Sequence, residues 1–448
     1  MSTAAALPTR DRTAEARRLV ALAWPVVLTS LNWTLLQVTD VVVVGMVSTG
    51  EAAALGASRA LTFIGIVLAL GWMTGILVFV SRADGARDLS ATGRLFHEGL
   101  VLALLLGLAS GAILFACAAP LLLAIGVSPA ITPAAAIVVQ VMALAYPFQT
   151  VIIAASFFLE GVSRPRRVAA VNLATLPLNA VLAWALSGGH LGLPQWGAAG
   201  AAAATAIASA VGAVLMVAAA LTLPRAAERG VRQWRASLAG VRQLAWFGIV
   251  PAVASALELA GFSILIVLST RLGEVTAHAF QIIFSIHNVT FAMALGLASA
   301  AGVRAGNAVG EGQPREAPWR TGIAVALAAG ATGVLAALIL LFDDVVTGAF
   351  PATAPVHVLA AAMMVIWVPF ILFDGIQVVL VYALRSLGDQ VAAGVNGILA
   401  YFVVTGGLGW LLVERGVGPM ALVWASGLGM VAAAALNGGR LLWIARRL

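Results

Sequence analysis

The chain is 448 residues long, 62% hydrophobic and 10% charged, with a net charge of +7 and a mean hydropathy of +1.04. A soluble domain runs nearer half apolar and a quarter charged, so the composition excludes one and predicts a multi-pass membrane protein. All 25 basic residues are arginine, which excludes a P-loop ATPase and a Schiff-base enzyme, since both need lysine; the single cysteine, Cys117, excludes an internal disulfide and a thiolate metal cluster.

Apolar runs of about 20 residues or more are what a helix needs to cross a bilayer. Such runs predict helices over 20–46, 53–81, 95–125, 131–160, 167–187, 197–222, 240–271, 276–304, 319–345, 355–385, 389–413 and 417–445. The first carries Pro25 early, then Gln37 and Asp40 one turn apart in LLQVTDVVVVG. The third holds Cys117 in LASGAILFACAAPLLLA, read here as small core filler. The fourth contains Pro147-Phe148 and ends in SFFLEGVSRPRR, with an acid, Glu160, near one end. The fifth supplies Asn179, a candidate partner for Asp40. The seventh carries Pro251 and Glu258. The eighth carries His278 and His287, which fall on opposite faces, and a GxxxGxxxG face of Gly302, Gly306 and Gly310 suited to close helix packing. The tenth carries Pro369-Phe370, Asp374 and, one turn later, Gln377. Adjacent Asp343 and Asp344 read as a solvated loop.

Arginine is distributed unevenly about these helices. Taking alternate loops and helix ends together, one side carries 22 and the other three, Arg59, Arg271 and Arg415. The positive-inside rule then predicts that both termini are cytoplasmic. The count also argues against nucleic acid as a partner, because the basic groups track the membrane ends instead of forming one patch.

The longest polar segment, LPRAAERGVRQWRASLAG, divides the chain into a cytoplasmic N-tail over 1–19, an N-lobe over 20–222, a cytoplasmic linker over 223–239 and a C-lobe over 240–448. The lobes match in order: Pro25 with Pro251, Gly50-Glu51 with Gly273-Glu274, and Pro147-Phe148 with Pro369-Phe370. Each half has an even number of helices, so the repeat is parallel, with its axis along the membrane normal. Such an architecture suits a transporter that rocks two bundles about a central site.

Asp40, Glu258 and Asp374 interrupt apolar runs. A charge at the bilayer centre costs at least about 2.5–3.5 kcal/mol. An acid kept there despite the cost is a candidate to carry a proton or hold a cation. Glu258 and Asp374, if they face each other, cannot both ionise cheaply, so one keeps a proton or a cation such as Na+ sits between them. No metal-ligand spacing of His, Cys and carboxylates occurs, and no cofactor is expected.

The motifs resemble the multidrug and toxic compound extrusion (MATE) transporters, NorM-type bacterial branch, over nearly all of the chain. They are P-x14-D-x4-G (Pro25, Asp40, Gly45), LEGVSRPRR, PLNAVLAW, GAAGAAAATAI, P-x6-E-x3-F-S (Pro251, Glu258, Phe262, Ser263), GVRAGNAVGEGQ and FDGIQVVLVYALRSLGD. The resemblance implies an all-α integral membrane fold, with twelve transmembrane helices in two pseudo-symmetric six-helix bundles around a central cavity. It implies no enzyme but an antiporter of the bacterial inner membrane, exchanging cationic or amphipathic organic compounds for inward H+ or Na+. The ion-coupling positions it implies are Asp40, Asn179 and Thr205 in the N-lobe and Glu258 and Asp374 in the C-lobe, the latter two a candidate Na+ site. Gln37, Gln281 and Gln377 are candidate cavity residues, and a monomer in the lipid bilayer is expected. Thr175 stands where the family often has Asn, and Glu160 where it often has Gln. A flippase for lipid-linked saccharides is the alternative; it would need basic residues inside the cavity, whereas arginine is expected only at the helix ends.

Overall fold

The computed structural model describes residues 11–448; Arg10 and the rest of the first ten positions of the N-tail lie outside it. Eleven described helices are long and apolar enough to cross a membrane, and one bent pair makes a twelfth. The first six spans are α1 (Arg12–Gly45), α2 (Thr49–Gly85), α3 (Leu89–Ala124), the bent pair α4 (Thr132–Ala143) and α5 (Tyr146–Gly161), α6 (Pro165–Gly188) and α7 (Gly197–Leu221). A short helix, α8 (Ala226–Arg229), lies in the predicted linker. The second set comprises α9 (Leu238–Arg271), α10 (Glu274–Gly310) and α11 (Glu316–Leu341), then a short α12 (Asp343–Gly348). It is completed by α13 (Ala354–Trp367) with α14 (Ile371–Ser386), α15 (Gln390–Gly397) with α16 (Gly409–Glu414), and α17 (Met420–Arg447). Each set packs into a bundle of its own, and the two bundles meet through α1, α2, α9 and α10.

Several ends differ from the predicted ones for identifiable reasons. Helix α1 begins at Arg12 instead of 20, because Asp11 caps it by accepting from the backbone N–H groups of Thr13 and Ala14. Helix α10 runs on to Gly310, past the expected 304, because Arg304 and Asn307 are buried in contacts to other helices and do not reach water. The paired Pro-Phe elements break both of their spans. Pro147 begins α5 after a 48° bend from α4, and Pro369 lies in a 3-10 turn, Val368–Phe370, between α13 and α14. Proline removes the N–H that would continue the ladder and clashes with the carbonyl one turn back. Cys117 is exposed, not core filler; it lies at a kink (φ −112°, ψ 17°) three residues before Pro120.

Between α15 and α16 the chain runs as a π-helix, Ile398–Leu408. Wider turns of this kind push side chains out of α-helical register and recur at functional sites. Here the displaced backbone of Tyr401 seats against Gly261 of α9, where a Cβ would collide with the Tyr401 carbonyl.

The bundles are joined at one end. With twelve crossings both termini share an end, and every hydrogen bond between the bundles among the described residues lies in that half. Arg304 of α10 grips Glu15 of α1 with two bonds of 2.6 and 2.7 Å. Asn307 donates to the Ser81 carbonyl at 2.8 Å, Arg82 to the Ser386 carbonyl at 2.8 and 3.0 Å, and Trp72 to the Ala245 carbonyl at 2.8 Å. Glu160 accepts from Ser299 at 2.5 Å. Gly306 and Gly310 allow this approach: a Cβ at either would strike the Ser81 side chain or the Arg82 carbonyl. Two glycines of the face predicted on α10 therefore close the seam between the bundles, while the third, Gly302, packs against Tyr382 and Ser386 of α14 in its own bundle.

Candidate functional site

Two polar clusters interrupt the apolar interior, one in each bundle. In the first, Asp40 of α1 is buried (7% exposed). Asn179 of α6 donates to its Oδ1 at 3.0 Å, and the Thr205 side chain of α7 stands close by. Arg59 of α2 forms an ion pair with Asp40 Oδ2 at 3.0 Å and donates to the Gln37 carbonyl at 2.8 Å. The sequence-derived set of Asp40, Asn179 and Thr205 thus comes together, with one addition. Arg59 was counted among the arginines at one end of the bundle. It lies ten residues inside α2 and turns inward, because an isolated buried carboxylate is far costlier than a paired one. Gln37 contributes its backbone carbonyl here.

In the second cluster Asp374 of α14 is buried (3% exposed). Gln377 donates to its Oδ1 at 3.3 Å and Tyr401 does so at 3.4 Å. The Nδ1 atom of His287 on α10 is 3.9 Å from its Oδ2. Glu258 of α9 is half-buried and stands within electrostatic reach of Asp374, Tyr401 and Arg385, yet no protein donor bonds its carboxyl. So the two acids lie within electrostatic reach of one another, although their helices α9 and α14 do not pack directly. Gln377, expected in a cavity wall, is instead buried (4%) and committed to Asp374. Gln281 is exposed and belongs to neither cluster.

Aromatic rings enclose this second cluster. His287 lies 5.4 Å from Phe262, 5.9 Å from Phe291 and 5.6 Å from Trp367, measured between ring centroids. Phe262 in turn packs 5.6 Å from Tyr401. A wall of this kind excludes water, so a charge on either carboxylate is felt strongly by its neighbours. Sequence reasoning missed Tyr401 and His287 as members of the site. Tyr401 gave no signal, since its placement depends on the π-helical turn; His287 was one of five histidines without a ligand pattern.

Comparison with known proteins agrees with this architecture. The MatE family model matches twice, over residues 25–185 and 251–411. The chain belongs to the MatE family. Both matches have the same length and an offset of 226 residues (251 − 25), which is the internal repeat seen in the paired prolines. Multidrug resistance protein PmpM of Pseudomonas aeruginosa is 27% identical, with 97% of this chain and 92% of that protein covered. A probable multidrug resistance protein NorM of Mesorhizobium japonicum is 30% identical, covering 94% of this chain and 93% of the relative. Among solved structures, the eukaryotic MATE transporter AtDTX14 superposes with a TM-score of 0.87 at 19% identity, over 97% of this chain and 98% of that one. This MATE chain is therefore a multi-pass membrane transporter and not an enzyme, and its fold is the expected pair of six-helix bundles.

Proposed function

We propose that this MATE transporter is a secondary active multidrug efflux antiporter of the bacterial inner membrane. It exchanges cationic or amphipathic organic compounds for an inward cation. The names of its bacterial relatives support the substrate class. The lobes over 20–222 and 240–448 move against each other about the linker 223–239. The arginine bias supports a cytoplasmic position for the joined, terminus-bearing end, where the hydrogen bonds between the bundles close the seam.

The observation that carries the mechanism is the contrast between two neighbouring carboxyls. Asp374 accepts hydrogen bonds from Gln377 and Tyr401, donors that suit an ionised carboxylate. Glu258 has no protein donor, so it is the acid that takes up the coupling ion. Both donors occupy Asp374 Oδ1 and the His287 ring stands over Oδ2, so this acid is held by donors and not by the oxygen shell that a hard cation prefers. This favours H+ as the coupling ion. A proton arriving from outside neutralises Glu258 and removes part of the charge that attracts a cationic substrate into the aromatic wall. The substrate leaves, and the bundles rock to release the proton inside. One proton exchanged for one monovalent organic cation moves no net charge, so the pH gradient drives it, at about 1.4 kcal/mol or roughly tenfold accumulation per pH unit; a neutral substrate would gain in addition about 2.3 kcal/mol per 100 mV.

Everted vesicles loaded by an imposed gradient test the reading. A pH gradient alone should drive ethidium accumulation, and a Na+ gradient alone should not. Accumulation driven only by Na+ would reassign the Glu258/Asp374 pair as a Na+ site. No accumulation under either gradient, with the protein in the membrane, would favour the lipid-linked saccharide flippase.

A further inference from the structure

We infer that Arg59 is a built-in counter-ion that takes the coupling cation's place in the N-terminal bundle, so that Asp40 is a positioning residue and carries no transported ion. This inference rests on the carboxylate-coupled reading above and narrows it to the second bundle.

The argument is one of charge compensation. A carboxylate inside a bilayer needs a partner, and three are conceivable: a proton, a cation from solution, or a fixed basic side chain. At Asp40 the third is present. The guanidinium of Arg59 meets Oδ2 at 3.0 Å, while Asn179 donates to Oδ1 at 3.0 Å and Thr205 stands close by. Arginine keeps its proton at any pH the protein meets, so this partner does not come and go with a gradient. The second hydrogen bond from Arg59, to the Gln37 carbonyl on the same helix as Asp40, fixes the guanidinium against α1. The helices packed on Asp40 from the other side, α6 and α7, contribute the neutral Asn179 and Thr205. Arg59 is thus the one charged group set against Asp40 among the described residues.

The second bundle has a basic group too, but it is used differently. Arg385 lies within electrostatic reach of Glu258, yet it makes no ion pair there, and its Nε has no hydrogen-bond partner. Compensation is complete in one bundle and incomplete in the other. Only the incomplete one has a task left for a cation from solution.

The Arg59–Asp40 pair has a structural role instead. It ties α1 to α2 at the end of the bundle remote from the seam, and through Asn179 it ties α1 to α6. Asp40 would then move as part of a rigid lobe, not as a titrating group.

A carbodiimide probe that adds to protonated carboxyls in apolar surroundings tests this in the whole, membrane-embedded protein. Dicyclohexylcarbodiimide labelling, mapped by peptide mass spectrometry between pH 6 and 8, should modify Glu258 in the wild type and leave Asp40 unmodified. In Arg59→Gln, Asp40 should become modified at least fivefold more than in the wild type. Wild-type labelling of Asp40 to the extent of Glu258 would overturn the proposal. Labelling at neither acid of the second bundle would sink the coupling mechanism without touching this one. A second arm reads transport. Asp40→Asn leaves a buried guanidinium unpaired, and adding Arg59→Gln should raise proton-driven ethidium efflux at least fivefold over Asp40→Asn alone. A double variant present in the membrane and no better than the single one also overturns the proposal, since Asp40 would then be needed for itself.

Discussion

The two bundles descend from one repeat, and each keeps an acid in the hydrocarbon, but they have solved the cost of that acid in opposite ways. In the first, Asp40 is closed off by Arg59, Asn179 and Thr205. In the second, Asp374 shares an aromatic chamber with a second carboxyl, Glu258, that no protein donor satisfies. A fully compensated cluster holds helices together; an uncompensated one is ready to accept something. Position in a membrane helix alone therefore does not make a carboxylate an ion carrier. What surrounds the charge decides.

That contrast can be broken experimentally, most severely at Asp374. Asp374→Asn should reduce proton-driven efflux by about 100-fold or more, roughly 2.7 kcal/mol, with normal protein in the membrane. Ethidium efflux from energised cells checks it, and retained transport would abolish the distinction between the clusters. Glu258→Gln should cost about 50-fold, and substrate-evoked proton movement in proteoliposomes should vanish with it. A Glu258→Gln protein that still exchanges protons for substrate would move coupling elsewhere.

Asn179→Ala sharpens the other side. It removes a hydrogen bond to a charged group, worth about 2 kcal/mol, and should lower the thermal midpoint in detergent. At the same time it should leave the proton dependence of efflux with the wild-type profile. A shifted pH profile in this variant would show that Asp40 titrates during transport.

The smallest effect is expected well outside both clusters, as a control for general destabilisation. Asp88 caps α3, accepting from the Ala91 backbone N–H at 2.9 Å and from the Ser90 hydroxyl at 3.0 Å. The Ala91 bond first, and Ser90 second, hold its carboxyl below the usual range. A depressed folded-state pKa means that this stabilisation is present above the unfolded value, near 4. It is lost as pH falls through the lower folded value. Asp88→Ala should cost about 1 kcal/mol at pH 7, and the difference from wild type should shrink below about pH 4. Thermal melts across that range test it. Efflux should be unaffected.

Much of this was legible in the chain itself. Long apolar runs set the number of spans, because backbone groups in hydrocarbon must bond within their own helix. Arginine bias gave a direction, and paired Pro-Phe elements marked both the repeat and the places where two spans break. The three acids announced themselves by their cost. Asn179 and Thr205 were reached through family resemblance, and the structure brings both to Asp40.

Other features came from packing. Arg59 looked like one more end-of-helix arginine, because a sequence lists charges by position along the chain and not by the direction a side chain takes. Cys117 looked like core and faces outward, since a small apolar residue carries no mark of which helix face is inside when both faces are apolar. Tyr401 depends on a wider helical turn, and Glu258 comes within electrostatic reach of Asp374 only through the packing of the C-terminal bundle, since α9 and α14 are not direct neighbours. Sequence determined that charges were buried, because burial follows from the apolar length around them. The tertiary structure alone decided which charges are paired, because pairing depends on distances of about 3 Å between groups far apart in the chain.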